Sequence, residues 1–123
     1  MNKRFTILFL FVASIAYAQK KPLDHSVYNT WESIGSKVLF NNGLWASYGV
    51  VQQEGNSVLY FYNTKESKKI NFQRGVKPGF SNDSKFAAFL IRPFFNALRE
   101  AKIKKAKPEA TPKDSLGILN LFI

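Results

Sequence analysis

Phe80-Ser81-Asn82-Asp83-Ser84-Lys85-Phe86-Ala87-Ala88-Phe89 reads as a tight polar turn feeding straight into a β-strand, and Leu39-Phe40-Asn41-Asn42-Gly43-Leu44-Trp45-Ala46-Ser47-Tyr48 reads the same way. Aligned on their turns, Asn42 falls on Asp83, Gly43 on Ser84, Trp45 on Phe86 and Tyr48 on Phe89, a constant offset of 41 residues. Asn, Asp, Gly and Ser build turns through side-chain-to-backbone hydrogen bonds and tolerance of positive φ, while aromatic residues suit a pleated, half-buried surface. A period of about 40 to 45 residues is that of one four-stranded propeller blade. The expected fold is mainly all-β: antiparallel four-stranded blade repeats, about one complete and part of a second, with one short basic helix after the second repeat start.

Around the first turn, Lys37 to Phe40 and Leu44 to Gln52 predict two strands, joined by Asn41-Asn42-Gly43 with its Asn-Gly hairpin signal. Glu54-Gly55-Asn56 turns the chain into Ser57 to Tyr62, a run rich in β-formers. After the polar turn Asn63 to Ser67, the alternation around Ile70 and Phe72 predicts an edge-like strand over Lys68 to Gln73. Gly75 and Pro78-Gly79 punctuate the restart. The second copy then runs from Phe80 to Ile91 and breaks at Pro93.

From Phe94 to about Lys105 the period becomes helical, with Phe94, Leu98 and Ala101 on one face, Phe95 beside them, and Glu100 four residues before Lys104. Lys102, Lys104, Lys105 and Lys107 make its far end basic, which suits the negative end of a helix dipole. Charge runs usually lie on solvated faces, so membrane contact through these four lysines is not expected. Pro108 to Ser115 reads as a loop, and Leu116 to Leu121 as the start of a further strand.

Ahead of this body, Lys3 and Arg4 precede a nearly apolar run from Phe5 to Tyr17, and Ala16-Tyr17-Ala18 has the small-x-small pattern of a cleavage site. Such a run is short of the roughly 20 residues that cross a bilayer, so a signal peptide cleaved after Ala18 is expected, with export to the periplasm or beyond. The organisation is then 1–18 signal peptide, 19–35 leading segment, 36–92 blade repeats and 93–123 basic helix, linker and start of a further strand. Val27, Tyr28, Trp31 and Ile34 give the leading segment the spacing of a short helical turn or coil. There is no cysteine, so an exported chain of this kind must rest on burial alone. A net charge of +10 suits a nucleic-acid binder, but export argues against that partner.

No G-x-S-x-G elbow and no glycine-rich phosphate loop occurs, and His25 is the only histidine. One histidine, no cysteine and scattered carboxylates provide neither a triad nor a metal-ligand spacing. No catalytic, cofactor-binding or metal-ligating residue is therefore expected, and no cofactor. Asp83 has a structural task available in holding the turn that launches the strand. Trp45, Tyr48, Tyr60, Tyr62, Phe86 and Phe89 can form a stacking platform for sugar or peptide; at strand spacing, core packing between blades is the expected role.

Lys20-Lys21-Pro22-Leu23-Asp24-His25-Ser26-Val27-Tyr28, Trp31-Glu32-Ser33-Ile34-Gly35, Gln53-Glu54-Gly55 and Val58-Leu59-Tyr60-Phe61-Tyr62-Asn63-Thr64-Lys65 follow one another in an order that resembles a known family. Arg74-Gly75, Phe80 to Ser84, Arg99 to Lys105 and Pro112 to Ile118 continue it. The resemblance is to the amino-terminal region of secreted, propeller-bearing serine peptidases of the prolyl oligopeptidase family, nearest to exported members from Bacteroidetes-type bacteria. It implies a propeller that precedes an α/β-hydrolase domain and positions peptides at the mouth of its active site. The triad of that family lies in the hydrolase domain, so no catalytic residue carries over to any position here. The expectation is a non-catalytic propeller fragment, ended by a truncated or frameshifted reading frame, not an enzyme as it stands. Its expected partners are the remaining blades, the hydrolase domain and a peptide ligand; the alternative is an independent secreted β-rich domain binding peptide, glycan or envelope surface.

Overall fold

The computed structural model describes residues 24–122, so the expected signal peptide, its cleavage after Ala18 and the first residues of the leading segment lie outside the described residues. A 3-10 helix, His25–Thr30, opens the described chain, with the Asp24 carboxylate accepting a hydrogen bond from the His25 backbone N–H. Two antiparallel sheets follow. The first runs β1 (Glu32–Leu39), β2 (Trp45–Gln52), β3 (Val58–Asn63), β4 (Lys69–Gln73) in spatial order, and the second β5 (Gly75–Phe80), β6 (Phe86–Ile91), β7 (Ser115–Asn120). One helix, α1 (Phe95–Ile103), interrupts the second sheet between β6 and β7. The chain is thus mainly β, as its turn–strand pattern predicts.

The two turns that organise the pattern match bond for bond. The Gly43 N–H donates to the Phe40 carbonyl at 3.0 Å, and the Phe40 N–H to the Trp45 carbonyl at 2.9 Å. Forty-one residues on, the Ser84 N–H donates to the Ser81 carbonyl at 3.1 Å and the Ser81 N–H to the Phe86 carbonyl at 2.9 Å. Gly43 and Ser84 both adopt left-handed φ, +70° and +64°, so the second copy places a serine where the first uses the residue that suffers no Cβ clash. Registers repeat as well. Leu39 pairs with Ala46 as Phe80 pairs with Ala87, and each hairpin slips register once, between Ile34 and Lys37 in β1 and between Val76 and Gly79 in β5.

Two readings are corrected by this pairing. β1 begins at Glu32 rather than Lys37, so Ser33, Ile34 and Gly35 of the leading segment belong to the first sheet. Their partners, Val51 and Val50 for Ser33 and Ile34, lie far along the chain, which local spacing does not register. Gly75 to Gly79 is likewise strand and not punctuation. Pro78 is tolerated because β5 is an edge strand and Pro78 falls at its register slip, where a missing N–H costs no ladder bond.

The sheets pack face to face around Phe40, Trp45, Leu59, Phe61, Ala87, Phe89 and Leu121, with Ile70, Phe72 and Phe80 against them. Aromatic edges set much of this contact: Phe40 and Phe80 are T-shaped at 4.5 Å, and Phe61 meets Phe80 at 5.9 Å and Phe89 at 5.6 Å. Burying a ring of this size contributes about 1.5–3 kcal/mol, and the pair geometry about 0.5–1.5 kcal/mol more. Ser47, the buried polar residue on this face, donates to the Val38 carbonyl at 3.4 Å. Between the sheets the chain turns in one residue, Arg74, at φ +64°, whose N–H donates to the Ser57 carbonyl and whose guanidinium donates to the Arg92 carbonyl.

Candidate binding surface

His25, the residue a triad would have needed, has its ring edge-on to Tyr28 at 5.2 Å, and Tyr28 in turn meets Trp31 at 5.0 Å. Asp24 is engaged by the His25 backbone and by the Ser26 hydroxyl. These contacts brace the 3-10 helix and set up no nucleophile–base geometry. Among the described residues, no group of three or more His, Cys, Asp or Glu is placed to hold a metal ion.

Asp83 sits where its turn requires it. Its Oδ1 accepts from the Ser81 hydroxyl at 2.6 Å and from the Lys85 N–H at 3.2 Å. These bonds, the Ser81 hydroxyl first, hold the exposed carboxyl below its ordinary pKa. Asn42 does the same with a neutral amide, its Oδ1 accepting from the Leu44 N–H at 2.9 Å. The two turns lie side by side and, with Trp45, Asn63, Lys65 and Leu121, line a cleft at one end of the paired sheets.

The aromatic set divides between the two faces of the sheets. Trp45 and Phe89 enter the core, as expected, but Tyr48, Tyr60 and Tyr62 lie on the outer face of the first sheet and Phe86 on the outer face of the second. Side chains alternate along a strand, so Trp45 and Tyr48, three apart, cannot share a face. On that outer face Tyr48 and Tyr60 stack at 5.1 Å and 17°, with the Lys69 ammonium 5.1 Å from the Tyr60 ring and 5.7 Å from the Tyr48 ring. The Tyr48 phenol oxygen, within reach of the ammonium, raises the Lys69 pKa above its ordinary value. Such a flat aromatic pair with a fixed cation can stack on an apolar or planar group and hold an anionic one beside it. Lys69 carries no sequence signal; only the ladder, by pairing Tyr62 with Lys69 next to Tyr60, brings it there.

Helix α1 closes the other end of the molecule. Its N-terminus has no cap of its own from Phe94; the Asn56 side chain, in the β2–β3 turn, accepts the Phe95 N–H at 2.9 Å. Arg99 reaches Glu54 at 3.7 Å in the same turn, and the Arg74 guanidinium lies 4.0 Å from the Phe94 ring centre. The expected Glu100–Lys104 pair forms at 3.8 Å, and Lys102, Lys104, Lys105 and Lys107 all face solvent. Among the described residues, no helix is long and apolar enough to cross a membrane. Comparison with protein-family models, curated proteins and solved structures returned no match.

Proposed function

We propose that this chain supplies opening blades of an exported β-propeller of the kind that precedes the hydrolase domain in prolyl oligopeptidase family peptidases, a non-catalytic part that shapes access for peptides. The observation that carries this reading is the first hairpin of each sheet, which recurs at 41 residues turn for turn and register for register, with the edge strand β4 of one sheet passing directly into β5 of the next at Arg74. Propeller blades are joined in this radial manner, each four-stranded sheet covering the face of its neighbour. In that role the residues here bind no cofactor and perform no bond cleavage; the chemistry belongs to the hydrolase domain. The chromosomal sequence beyond codon 123 tests this, read in all three frames. Further turn–strand units and a G-x-S-x-G segment are expected; an unrelated gene or an intergenic gap overturns the reading.

A second reading, an independent exported domain that binds peptide or glycan, draws its support from the stacked Tyr48–Tyr60 pair and Lys69. It requires that residues 19–123 unfold as a cooperative monomer and that loss of both rings abolishes binding to a peptide or glycan array.

A further inference from the structure

The two sheets meet through unlike faces. The β2 residues turned toward the second sheet are Trp45, Ser47 and Gly49, and their counterparts 41 residues on, Phe86, Ala88 and Leu90, lie on the face of the second sheet turned away from the first. Conversely Ala46 and Tyr48, on the outer face of the first sheet, correspond to Ala87 and Phe89, which pack into the core. The third strands extend the match at an offset of 57, because the chain from Phe86 to its partner Asn120 is 16 residues longer than that from Trp45 to Asn63. Trp45 pairs with Asn63 as Phe86 pairs with Asn120, and each asparagine accepts the N–H of the residue two places on, Lys65 and Phe122. Leu59 and Phe61, both 0% exposed, thus correspond to Leu116 and Ile118, which are 66% and 68% exposed.

Apart from β4, whose Ile70 and Phe72 have no counterpart among the three described strands of the second sheet, each outer face is therefore the equivalent of one side of the interface already present inside the molecule. We infer that a second copy of this chain docks its first-sheet outer face onto the second-sheet outer face, repeating the internal interface in a head-to-tail manner. Within the molecule Phe61 packs on Phe80 and Phe89; the repeated interface sets Ile118 of one copy against Leu39 and Tyr48 of the next. Leu39 is 66% exposed, an apolar side chain on the same face as the tyrosines, as its pairing with Ala46 requires. Around Tyr60, sizes compensate across the new contact. The first-sheet outer face carries Tyr60 where the second sheet has Gly117 packed against the Phe89 ring, while the opposing face carries Ile118 and Phe86 in place of the larger Phe61 and Trp45. Leu90 in place of Gly49 adds bulk on the second-sheet face, and Leu39 in place of Phe80 removes it from the first-sheet face. An interface joining unlike faces leaves a free face at each end, so association proceeds to a closed ring or an open stack rather than stopping at a symmetric dimer. The inference rests on the pairing of the two sheets and not on the peptidase reading.

The test uses the protein expressed from its full reading frame in a secreting host and followed by sedimentation velocity across a concentration series. Wild type is expected to grow in mass with concentration. Ile118→Lys and Tyr48→Lys each place a positive charge on one exposed face, and each alone is expected to weaken association by roughly tenfold or more. Mixed together, the two variants are expected to form a one-to-one dimer, because each retains the face the other has lost. Circular dichroism matching wild type confirms that they fold, and Leu116→Lys substitutes for Ile118→Lys if it does not. A wild type that stays monomeric at about 100 μM, above the micromolar range in which many specific complexes form, overturns the inference. So does a variant that still dimerises by itself, which marks a like-to-like interface. Neither result bears on the peptidase reading, which the downstream sequence decides.

Discussion

Leu59 and Phe61 in the first sheet and Leu116 and Ile118 in the second stand at equivalent places in equivalent strands, yet one pair is sealed from water and the other open to it. The side chains are of one class; only the neighbour differs. The same contrast runs through Trp45 and Phe86 in one direction and Tyr48 and Phe89 in the other: Trp45 and Phe89 are buried, while Phe86 is 45% exposed and Tyr48 keeps a phenol where water reaches. A strand pattern thus specifies that a face is apolar, and the order of units along the chain specifies which face is covered. Contiguous exposed apolar faces commonly mark interaction surfaces.

The widest gap between the two sheets is expected in stability. In dilute, monomeric protein Phe61→Ala should cost about 3–5 kcal/mol, since it removes the ring that joins Phe72, Phe80 and Phe89. Ile118→Ala, at the matching position, should change stability by no more than about 0.5 kcal/mol. Urea unfolding of both variants measures the difference. Equal costs would mean that the second-sheet outer face is covered even in dilute solution, and the comparison would fail.

A glycine pair gives the next effect. A Cβ at Gly117 would stand 2.5 Å from the Phe89 ring, whereas one at Gly79 would meet nothing within 4 Å. Gly117→Ala should therefore cost about 1–3 kcal/mol by overpacking, with the Phe89 ring forced aside, and Gly79→Ala should lie within about 0.5 kcal/mol of wild type. Losing the Asn56 cap is smaller. Asn56→Ala should cost about 1 kcal/mol and fray α1 first, which amide exchange at Phe95 and Ala97 would detect ahead of any global change.

Legibility in the sequence followed the range of the interaction that decides each feature. The twin turns were legible because Asn42, Gly43, Asp83 and Ser84 act on backbone within two or three residues, and β2, β3 and β6 because aromatic and β-branched runs announce themselves. The early start of β1, the strand through Pro78, the Asn56 cap 39 residues before its helix and the placing of Lys69 over two tyrosines all depend on distant partners. The correspondence of β3 with β7 was hidden by α1 and its loop, which break the period of 41. For the candidate surface, the residue types were legible, but the six aromatics were expected together in the core, and their division between covered and open faces needed the packing of the sheets.

The finest distinction between the two units lies in their turns, where Asp83 and Asn42 perform one task with and without a charge. Because hydrogen bonds from Ser81 and from the Lys85 N–H lower the Asp83 pKa, folding favours its ionised form. That contribution is complete above the unfolded value near 3.8 and is lost as pH falls through the lower, folded value. The Asn42 turn has no such dependence. Asp83→Asn should accordingly leave the hairpin intact near neutral pH, remove this acid-side loss, and make the second turn behave as the first. Carboxyl NMR titration provides the measure: an Asp83 midpoint below 3.8 with an unshifted Asn42 amide supports the difference, whereas a midpoint at or above 3.8 would show that Ser81 and Lys85 do not hold the carboxylate in solution.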